Sequence, residues 1–292
     1  MKCNLGFLIY TYNRVDDARI NMEIIKDAWV KSKLFSDIKI IHAYNGKKAW
    51  YPKKYIEDDL VVIKNSWHFQ GAADLIDTGV TRFYKKYKNI DYLIVLAADT
   101  WLIKPKYVYN IIQKMQQEKL HLATCAWGLP QRNDIADVGM AVDFCIIDAK
   151  WAKKYKMFPV NYQKFYKKYA DLFLYIRAGN LMLEKLLYAK YLQAINKQEK
   201  TNFVARKFAL NKMYILKDRE PVHNRVAKDG LWSRKMYWPK MGLLTHHDPK
   251  EKKFILKKLA IICKGVSFNK LITQKDLSYY NKGVARMQYN KN

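Results

Sequence analysis

The hydrophobic and polar positions along the chain follow two alternating patterns. Short, almost uninterrupted apolar runs occur at residues 4–12, 37–44, 59–64 and 90–96. Between them, apolar residues recur every three or four positions, as in residues 13–32, 71–87 and 105–119. Apolar runs of strand length predict strands buried on both faces, and the three-to-four spacing predicts helices. The alternation therefore predicts an α/β fold, in which a mostly parallel sheet has helices on both faces.

Towards the C-terminus the rhythm is less regular. Residues 139–155 predict a strand followed by a helix, residues 163–195 a long helical stretch, and residues 211–217 a late strand. No internal repeat and no linker rich in Pro, Gly or Ser divides the chain. We therefore expect one domain over residues 1–248 and a C-terminal extension over residues 249–292.

The composition is strongly basic. The 292 residues include 54 Lys or Arg and 26 Asp or Glu, which gives a formal net charge of +28. A protein of this charge attracts anions such as phosphorylated small molecules, anionic lipid or nucleic acid. The lysines are spread along the chain, and the sequence contains no RNA-binding aromatic signature and no Cys/His finger, so we expect no specific nucleic acid. A solvated, Lys-rich surface without a partner is the alternative. Four scattered cysteines favour a reduced, cytoplasmic protein.

The segment 249–265 predicts a basic amphipathic helix. Ile255, Leu259 and Ile262 form one stripe, and lysines lie on another side. Such a helix can lie on an anionic membrane surface, and we expect a cytoplasmic protein that associates through it with the inner membrane face. The alternative is a helix packed on the domain with its lysines in water.

Polar residues follow each apolar run, where an open parallel sheet binds its ligands. Asp99 stands out because it comes directly after the apolar run that ends at Leu96, and an unpaired buried carboxylate is costly. A divalent cation that carries a diphosphate is one partner for Asp99. A lysine partner or a helix-capping role is the alternative.

Four motifs occur in order over residues 4–180. They are the first strand ending in YTYNR, NSWHFQGAADLIDTG (65–79), LAADTWLIKP (96–105) and ADLFLYIRAG (170–179). Together they resemble the GT-A fold of nucleotide-sugar-dependent glycosyltransferases, especially the family-2-like inverting group. The third motif is similar to that group's Asp-x-Asp metal segment, and the fourth is similar to its catalytic helix.

The resemblance implies a Rossmann-like GT-A domain that moves a sugar from a nucleoside diphosphate-sugar to a glycan or lipid-linked acceptor, with inversion and with Mn²⁺ or Mg²⁺. It implies Asp171 as the catalytic base, and it implies Asp99 and His246 as metal ligands. Asp143, in the segment GMAVDF, is our second choice for the base. The residues expected to contact the donor are Thr11, Tyr12, Asn13, Arg14, Asn45, Asp74 and Asp99.

The chain also departs from the motifs. Ala97 stands where the group has the first Asp of Asp-x-Asp, and Ala170 stands where it has the Glu before Asp171. A catalytically silent GT-A-like module that binds a glycan or a nucleotide is therefore the alternative function. A nucleotidyltransferase is disfavoured because no Gly-rich loop follows the first strand.

Overall fold

The computed structural model describes residues 2–12, 14–48, 54–65, 68–126, 139–164, 182–216, 220–221, 236–238 and 243–245. The strands are β1 (Asn4–Thr11), β2 (Asp37–Tyr44), β3 (Asp59–Val62), β4 (Tyr92–Ala97), β5 (Trp101–Leu102), β6 (Leu122–Ala126), β7 (Met140–Asp148), β8 (Met213–Ile215), β9 (Glu220–Pro221), β10 (Met236–Trp238) and β11 (Leu243–Thr245). The helices are α1 (Val15–Ile24), which continues as a π-helical segment (Ile25–Val30), α2 (His68–Lys86), α3 (Pro105–Gln117), α4 (Ala149–Lys154), α5 (Met182–Glu199) and α6 (Arg206–Asn211).

Seven strands form the main sheet in the order β3-β2-β1-β4-β7-β6-β8. β7 runs antiparallel to both of its neighbours, and the other strands run in one direction. The predicted fold class, a mostly parallel Rossmann-like sheet, is therefore confirmed.

Helices cover both faces of this sheet. Successive residues of a strand point to opposite faces, so uninterrupted apolar strands make both faces apolar. Phe7 lies in the core cluster shared with α1 and α3, whereas Leu8 lies in the cluster shared with α2, α4 and α5. Trp29 packs edge-on against Phe7, with ring centroids 4.9 Å apart, and stacks on Phe35 at 5.5 Å. Each fully buried side chain of this size contributes about 1.5–3 kcal/mol to folding.

Most of the predicted elements occur within a few residues of their expected bounds. The fourth strand begins at Tyr92, because Asp91 instead turns the chain and accepts a hydrogen bond from the Asn4 backbone N–H at 2.9 Å. The described cysteines, Cys3, Cys125 and Cys145, are buried. The C-terminal extension 249–292, including the amphipathic segment 249–265, lies outside the described residues and stays a prediction.

A second, four-stranded sheet in the order β5-β11-β10-β9 brings the C-terminal part of the chain to the main sheet. β11 pairs antiparallel with β5, and Leu244 lies opposite Trp101. β11 therefore lies beside the segment that follows β4. Among the described residues, no helix combines the length and the apolar composition needed to cross a bilayer.

Candidate active site

One edge of the main sheet collects polar residues from three adjacent strands. The carboxyl ends of β1 and β4 lie at this edge, and Tyr10 is opposite Ala97. Because β7 runs antiparallel, its first half reaches the same edge: Leu96 is opposite Phe144, so Asp143 comes next. Asp99 is 2% exposed and Asp143 is 7% exposed. The topology thus brings two of the predicted carboxylates to one mouth of the sheet.

The strand that carries Asp143 is irregular there. Thr124 of β6 is opposite Cys145, but Ala126, two residues further along β6, is opposite Met140, five residues away on β7. The extra residues of β7 form a bulge around Asp143. Bulges of this kind locally bend a strand and redirect a side chain.

Arg14 holds the carboxylate of Asp99. The Arg14 Nη1 atom lies 2.7 Å from Asp99 Oδ2 and 3.7 Å from Asp17 Oδ2. The Arg14 side chain is 26% exposed, whereas Asp99 is almost fully buried. The ion pair therefore places a mostly buried guanidinium at the carboxyl end of β1.

The backbone that follows Asp99 is held by α1 and the π-helical segment. Asn21 Nδ2 donates to the carbonyl oxygen of Thr100 at 2.8 Å, and Trp29 Nε1 donates to that of Leu102 at 2.8 Å. In return, Trp101 Nε1 donates to the Asp17 carbonyl oxygen at 3.2 Å. All of these contacts are buried, so the position of Asp99 is fixed by the first helix.

Tyr10 lies between the carboxylates. Its hydroxyl donates to the Val142 carbonyl oxygen at 3.2 Å. Burial raises the pKa of Tyr10 well above its usual value, and the neighbouring charges of Asp143, Asp99 and Glu184 raise that pKa further. Tyr10 therefore stays protonated at neutral pH and acts as a hydrogen-bond donor.

A second polar group links the end of β2 to the start of α2. The side-chain amide of Asn45 donates to the carbonyl oxygen of Asn65, and Asn65 Nδ2 donates to Asp74 Oδ2 at 2.5 Å. Gln163 Nε2 donates to the same carboxylate oxygen of Asp74 at 3.0 Å. The predicted donor contacts Asn45 and Asp74 thus belong to one hydrogen-bonded chain.

Asp77, one turn further along α2, ties down the loop that follows α4. Its two carboxylate oxygens accept the backbone N–H groups of Val160 at 2.5 Å and Asn161 at 2.9 Å. Burial raises the pKa of Asp77 to about 6, although these hydrogen bonds act in the opposite direction. Asp77 therefore holds residues 160–161 next to the Asp74 group.

The ends of β1 and β2 approach each other closely. The Asn45 backbone N–H donates to the Thr11 carbonyl oxygen at 3.1 Å, and Thr11 is buried. A Cβ atom at Gly46 would lie 2.0 Å from the Tyr12 carbonyl oxygen. A side chain at position 46 would push the two strand ends apart, so glycine is required there.

Three of the predicted site residues, Asn13, Asp171 and His246, lie outside the described residues and stay predictions. Thr245, which precedes His246, ends the strand that pairs with β5. Among the residues that the structure describes, no three His, Cys, Asp or Glu side chains are placed to share one metal ion.

The sequence interpretation missed Tyr10, Gln163 and Glu184. Tyr10 lies within an apolar run, where its pattern is that of a core residue. Glu184 is fully buried at the start of α5, and Gln163 reaches Asp74 across 89 positions of sequence. Long-range contacts of this kind have no signal in a single sequence.

No family model matches the chain, and no curated protein matches it. Solved structures similar to it include the mannosyltransferase PcManGT from Pyrobaculum calidifontis in complex with GDP-Man and Mn²⁺ (9% identity, 53% of this chain, 47% of that chain, TM-score 0.37). The glycosyltransferase GlyE of Streptococcus pneumoniae is 13% identical over 75% of this chain and 46% of that one, with a TM-score of 0.39. The catalytic domain of Drosophila beta1,4galactosyltransferase 7 is 12% identical over 52% of each chain, with a TM-score of 0.34.

These proteins are glycosyltransferases, the class that the sequence motifs resemble. The chain spans about half the length of the solved structures it matches. At TM-scores below 0.5, none of these likenesses bears on the activity, the donor or the acceptor of this chain.

Proposed function

We propose that this chain is a glycosyltransferase that moves a sugar from a nucleoside diphosphate-sugar to a hydroxyl of a glycan or lipid-linked acceptor, with inversion. The observation that carries the proposal is the meeting of Asp99, Asp143 and Arg14 at the carboxyl edge of the sheet. Ligands of open α/β sheets bind at this edge. Glycosyl transfer needs a carboxylate to accept a proton and positive charge to receive a leaving diphosphate, and this edge offers both.

The donor would lie across the ends of β1, β2 and β4. In the proposal, the nucleotide contacts Thr11, Tyr12, Asn13 and the group formed by Asn45 and Asp74. The guanidinium of Arg14 lies beside Asp99 and supplies donors that match phosphate oxygens.

Asp99 also suits a hard divalent cation, because Mg²⁺ and Mn²⁺ take carboxylate oxygens and are commonly held by one or two carboxylates together with substrate phosphates. A bound Mn²⁺ or Mg²⁺, held by Asp99 with His246, would neutralise charge on the leaving diphosphate.

A carboxylate accepts the proton of the acceptor hydroxyl as that oxygen attacks the anomeric carbon and the bond to the diphosphate breaks. Asp171 is the base that the resemblance implies. Asp143 is the described carboxylate best placed for this role, since it shares the sheet edge with Asp99 and adjoins the protonated Tyr10. Tyr10 and the bulge in β7 keep Asp143 in position.

The test is to replace Asp99, Asp143 and Asp171 singly by Asn in the full chain. Release of nucleoside diphosphate from a panel of nucleotide-sugars is then measured with Mn²⁺, with thermal unfolding as a check that each variant folds. We expect Asp99→Asn and the variant of the true base to lose about a hundredfold or more in turnover. Asp37→Asn, at an exposed position on the opposite edge, is the matched control and should keep wild-type turnover.

Wild-type turnover in all three variants would refute the proposal. A loss in Asp171→Asn with none in Asp143→Asn would assign the base to Asp171.

The second candidate is a catalytically silent module that binds a nucleotide or a glycan. Ala97 in place of the first Asp of the metal segment and the pairing of Asp99 with Arg14 favour it. Such a module would bind nucleoside diphosphates, measured by calorimetry, yet release none from any nucleotide-sugar with added metal.

A further inference from the structure

Several exposed lysines lie on the elements next to an exposed phenylalanine, at the end of the sheet away from the candidate site. We call this surface the basic edge and define it by Lys154, Lys197, Lys200, Phe203, Lys207 and Lys212. The lysines at 154, 197, 200 and 207 are exposed, and Lys212 is half-buried. Phe203 is 80% exposed, more than any other large hydrophobic side chain among the described residues.

The basic edge lies at the opposite end of the sheet from Asp99. β7 begins at the site edge and ends at Asp148, and α4 follows it directly. Trp151 of α4 donates through Nε1 to the Gln198 side chain near the end of α5, which fixes residues 197–200 at the far edge. α6 leads into β8, which runs parallel to β6, so it starts from that same far edge.

Contacts between neighbouring elements bring the members of the basic edge together. Lys197 Nζ donates to the Tyr155 carbonyl oxygen at 3.2 Å, and Lys154 lies 5.2 Å from the centre of the Tyr155 ring. On the other side, Lys212 lies 5.8 Å from the centre of the Phe208 ring. The Tyr191 hydroxyl of α5 donates to the Ala209 carbonyl oxygen of α6 at 2.8 Å, so α4, α5 and α6 lie next to one another.

The loop between α5 and α6 presents Phe203 by local hydrogen bonds. The Thr201 N–H donates to the Asn196 carbonyl oxygen at 3.0 Å, and the Phe203 N–H donates to Thr201 Oγ1 at 3.3 Å. Asn196 Nδ2 donates in turn to the Asn202 carbonyl oxygen at 3.3 Å. The loop is thus tied to the helix end, and the ring of Phe203 projects from it.

The charge on these segments is almost all of one sign. Residues 149–164 and 196–212 contain ten Lys or Arg residues and one acidic residue, Glu199. A positively charged surface of this kind attracts a partner that carries many negative charges. At a membrane surface, an aromatic side chain enters the boundary between headgroups and acyl chains, and the lysines around it reach the headgroups.

We propose that the basic edge docks the protein on an anionic phospholipid surface, with the ring of Phe203 entering the headgroup layer. A single-stranded nucleic acid is the competing polyanion. Such binding stacks successive bases on several aromatic rings, whereas only Phe203 is largely exposed on this described surface and Phe208, at 38%, is partly covered by Lys212. The membrane contact is independent of the proposed glycosyl transfer.

The test is co-sedimentation of the full chain with vesicles of phosphatidylcholine containing about 30% phosphatidylserine, at physiological salt. Phe203→Ser should lower the apparent affinity about fivefold, because one exposed ring no longer enters the bilayer. Lys200→Glu with Lys207→Glu should lower it at least tenfold, because each lysine near an anionic surface contributes roughly fivefold.

The matched control carries the same change in net charge at two exposed lysines elsewhere, Lys26→Glu with Lys106→Glu. We expect it to bind within about twofold of the wild type. If the control lost as much vesicle affinity as the basic-edge variant, the effect would be due to overall charge, and the proposal would be overturned.

Two further outcomes would also overturn it. Both basic-edge variants could bind vesicles as the wild type does, which would place any membrane contact elsewhere, such as in residues 249–265. Alternatively, the wild type could ignore the vesicles and bind single-stranded RNA in a gel shift that the double lysine variant abolishes.

Discussion

The ion pair between Arg14 and Asp99 joins the end of β1 to the end of β4. Removal of one partner from a largely buried pair leaves an uncompensated charge, and the cost is greater than the net value of the pair itself. The two residues are therefore coupled both in stability and in the proposed chemistry.

A double-mutant cycle measures this coupling. Arg14→Gln alone should lower the free energy of unfolding by roughly 2–4 kcal/mol, because it strands the Asp99 carboxylate. Arg14→Gln with Asp99→Asn should recover part of that loss, which gives a coupling energy of about 1–3 kcal/mol in urea denaturation. Strictly additive single effects would contradict an intact ion pair.

Asp77 makes the stability depend on pH. Its pKa is raised to about 6 in the folded protein, so the fold disfavours the charged form. Between about pH 4 and pH 6 the folded state binds more protons at this site than the unfolded state, and stability from this group falls as the pH rises.

We expect Asp77→Asn to remove this dependence. As the pH rises across that window, the free energy of unfolding of the wild type should fall by about 2–3 kcal/mol because of this group, whereas that of the variant should not. Urea denaturation at several pH values from 4 to 7, about one unit apart, gives the two slopes. Parallel slopes for the wild type and the variant would show that folding does not raise the pKa of Asp77.

At the scale of elements, α1 and the π-helical segment hold the strand end that carries Asp99. The side chains of Asn21 and Trp29 donate to the buried carbonyl oxygens of Thr100 and Leu102. An unsatisfied buried carbonyl group costs about 1–3 kcal/mol. The first helix therefore has a positioning role as well as a packing role.

Asn21→Ala tests that role. The variant should lose about 1–3 kcal/mol of stability, and turnover should fall further than that of a merely destabilised protein, because the Asp99 segment is less restrained. Asn110→Ala, at an exposed position of α3, is the control and should keep both properties. Loss of stability with unchanged kcat and KM would limit Asn21 to a structural role.

The sequence patterns were sufficient for the elements and for the class of fold. Apolar runs gave β1 and β2 within a residue of their observed bounds, because strands buried on both faces leave an uninterrupted signal. The same patterns located Asp99 after the fourth run, since the end of an apolar run in the sequence marks the end of a strand.

The contacts of the site were not predictable in this way. The sequence named Arg14 as a nucleotide contact and Asp99 as a metal ligand, whereas the structure also pairs the two residues. Arg14 and Asp99 are 85 positions apart in the sequence, and they meet because β1 and β4 lie side by side in the sheet. The bulge at Asp143 likewise arises from the register between β6 and β7, and no local pattern encodes it.

At the scale of the whole molecule, the net charge of +28 destabilises the folded state. Like charges held close together repel, and salt screens this repulsion with a Debye length of about 8 Å at physiological ionic strength. The ion pair of Arg14 and Asp99 is buried and is screened much less.

Addition of NaCl should therefore stabilise the fold. We expect the thermal unfolding midpoint to rise between about 20 mM and 200 mM NaCl, measured by circular dichroism. Sucrose at equal osmolality serves as the uncharged control. A midpoint that falls over this range would mean that exposed ion pairs outweigh the general repulsion.

The reversed direction of β7 has a consequence for how this protein responds to heating. A carboxylate built into a central strand keeps its place until that strand separates, unlike a group carried on a surface loop. If Asp143 is the base, inactivation and global melting must coincide on a temperature scale. An inactivation midpoint well below the melting midpoint would point instead to a base outside the sheet.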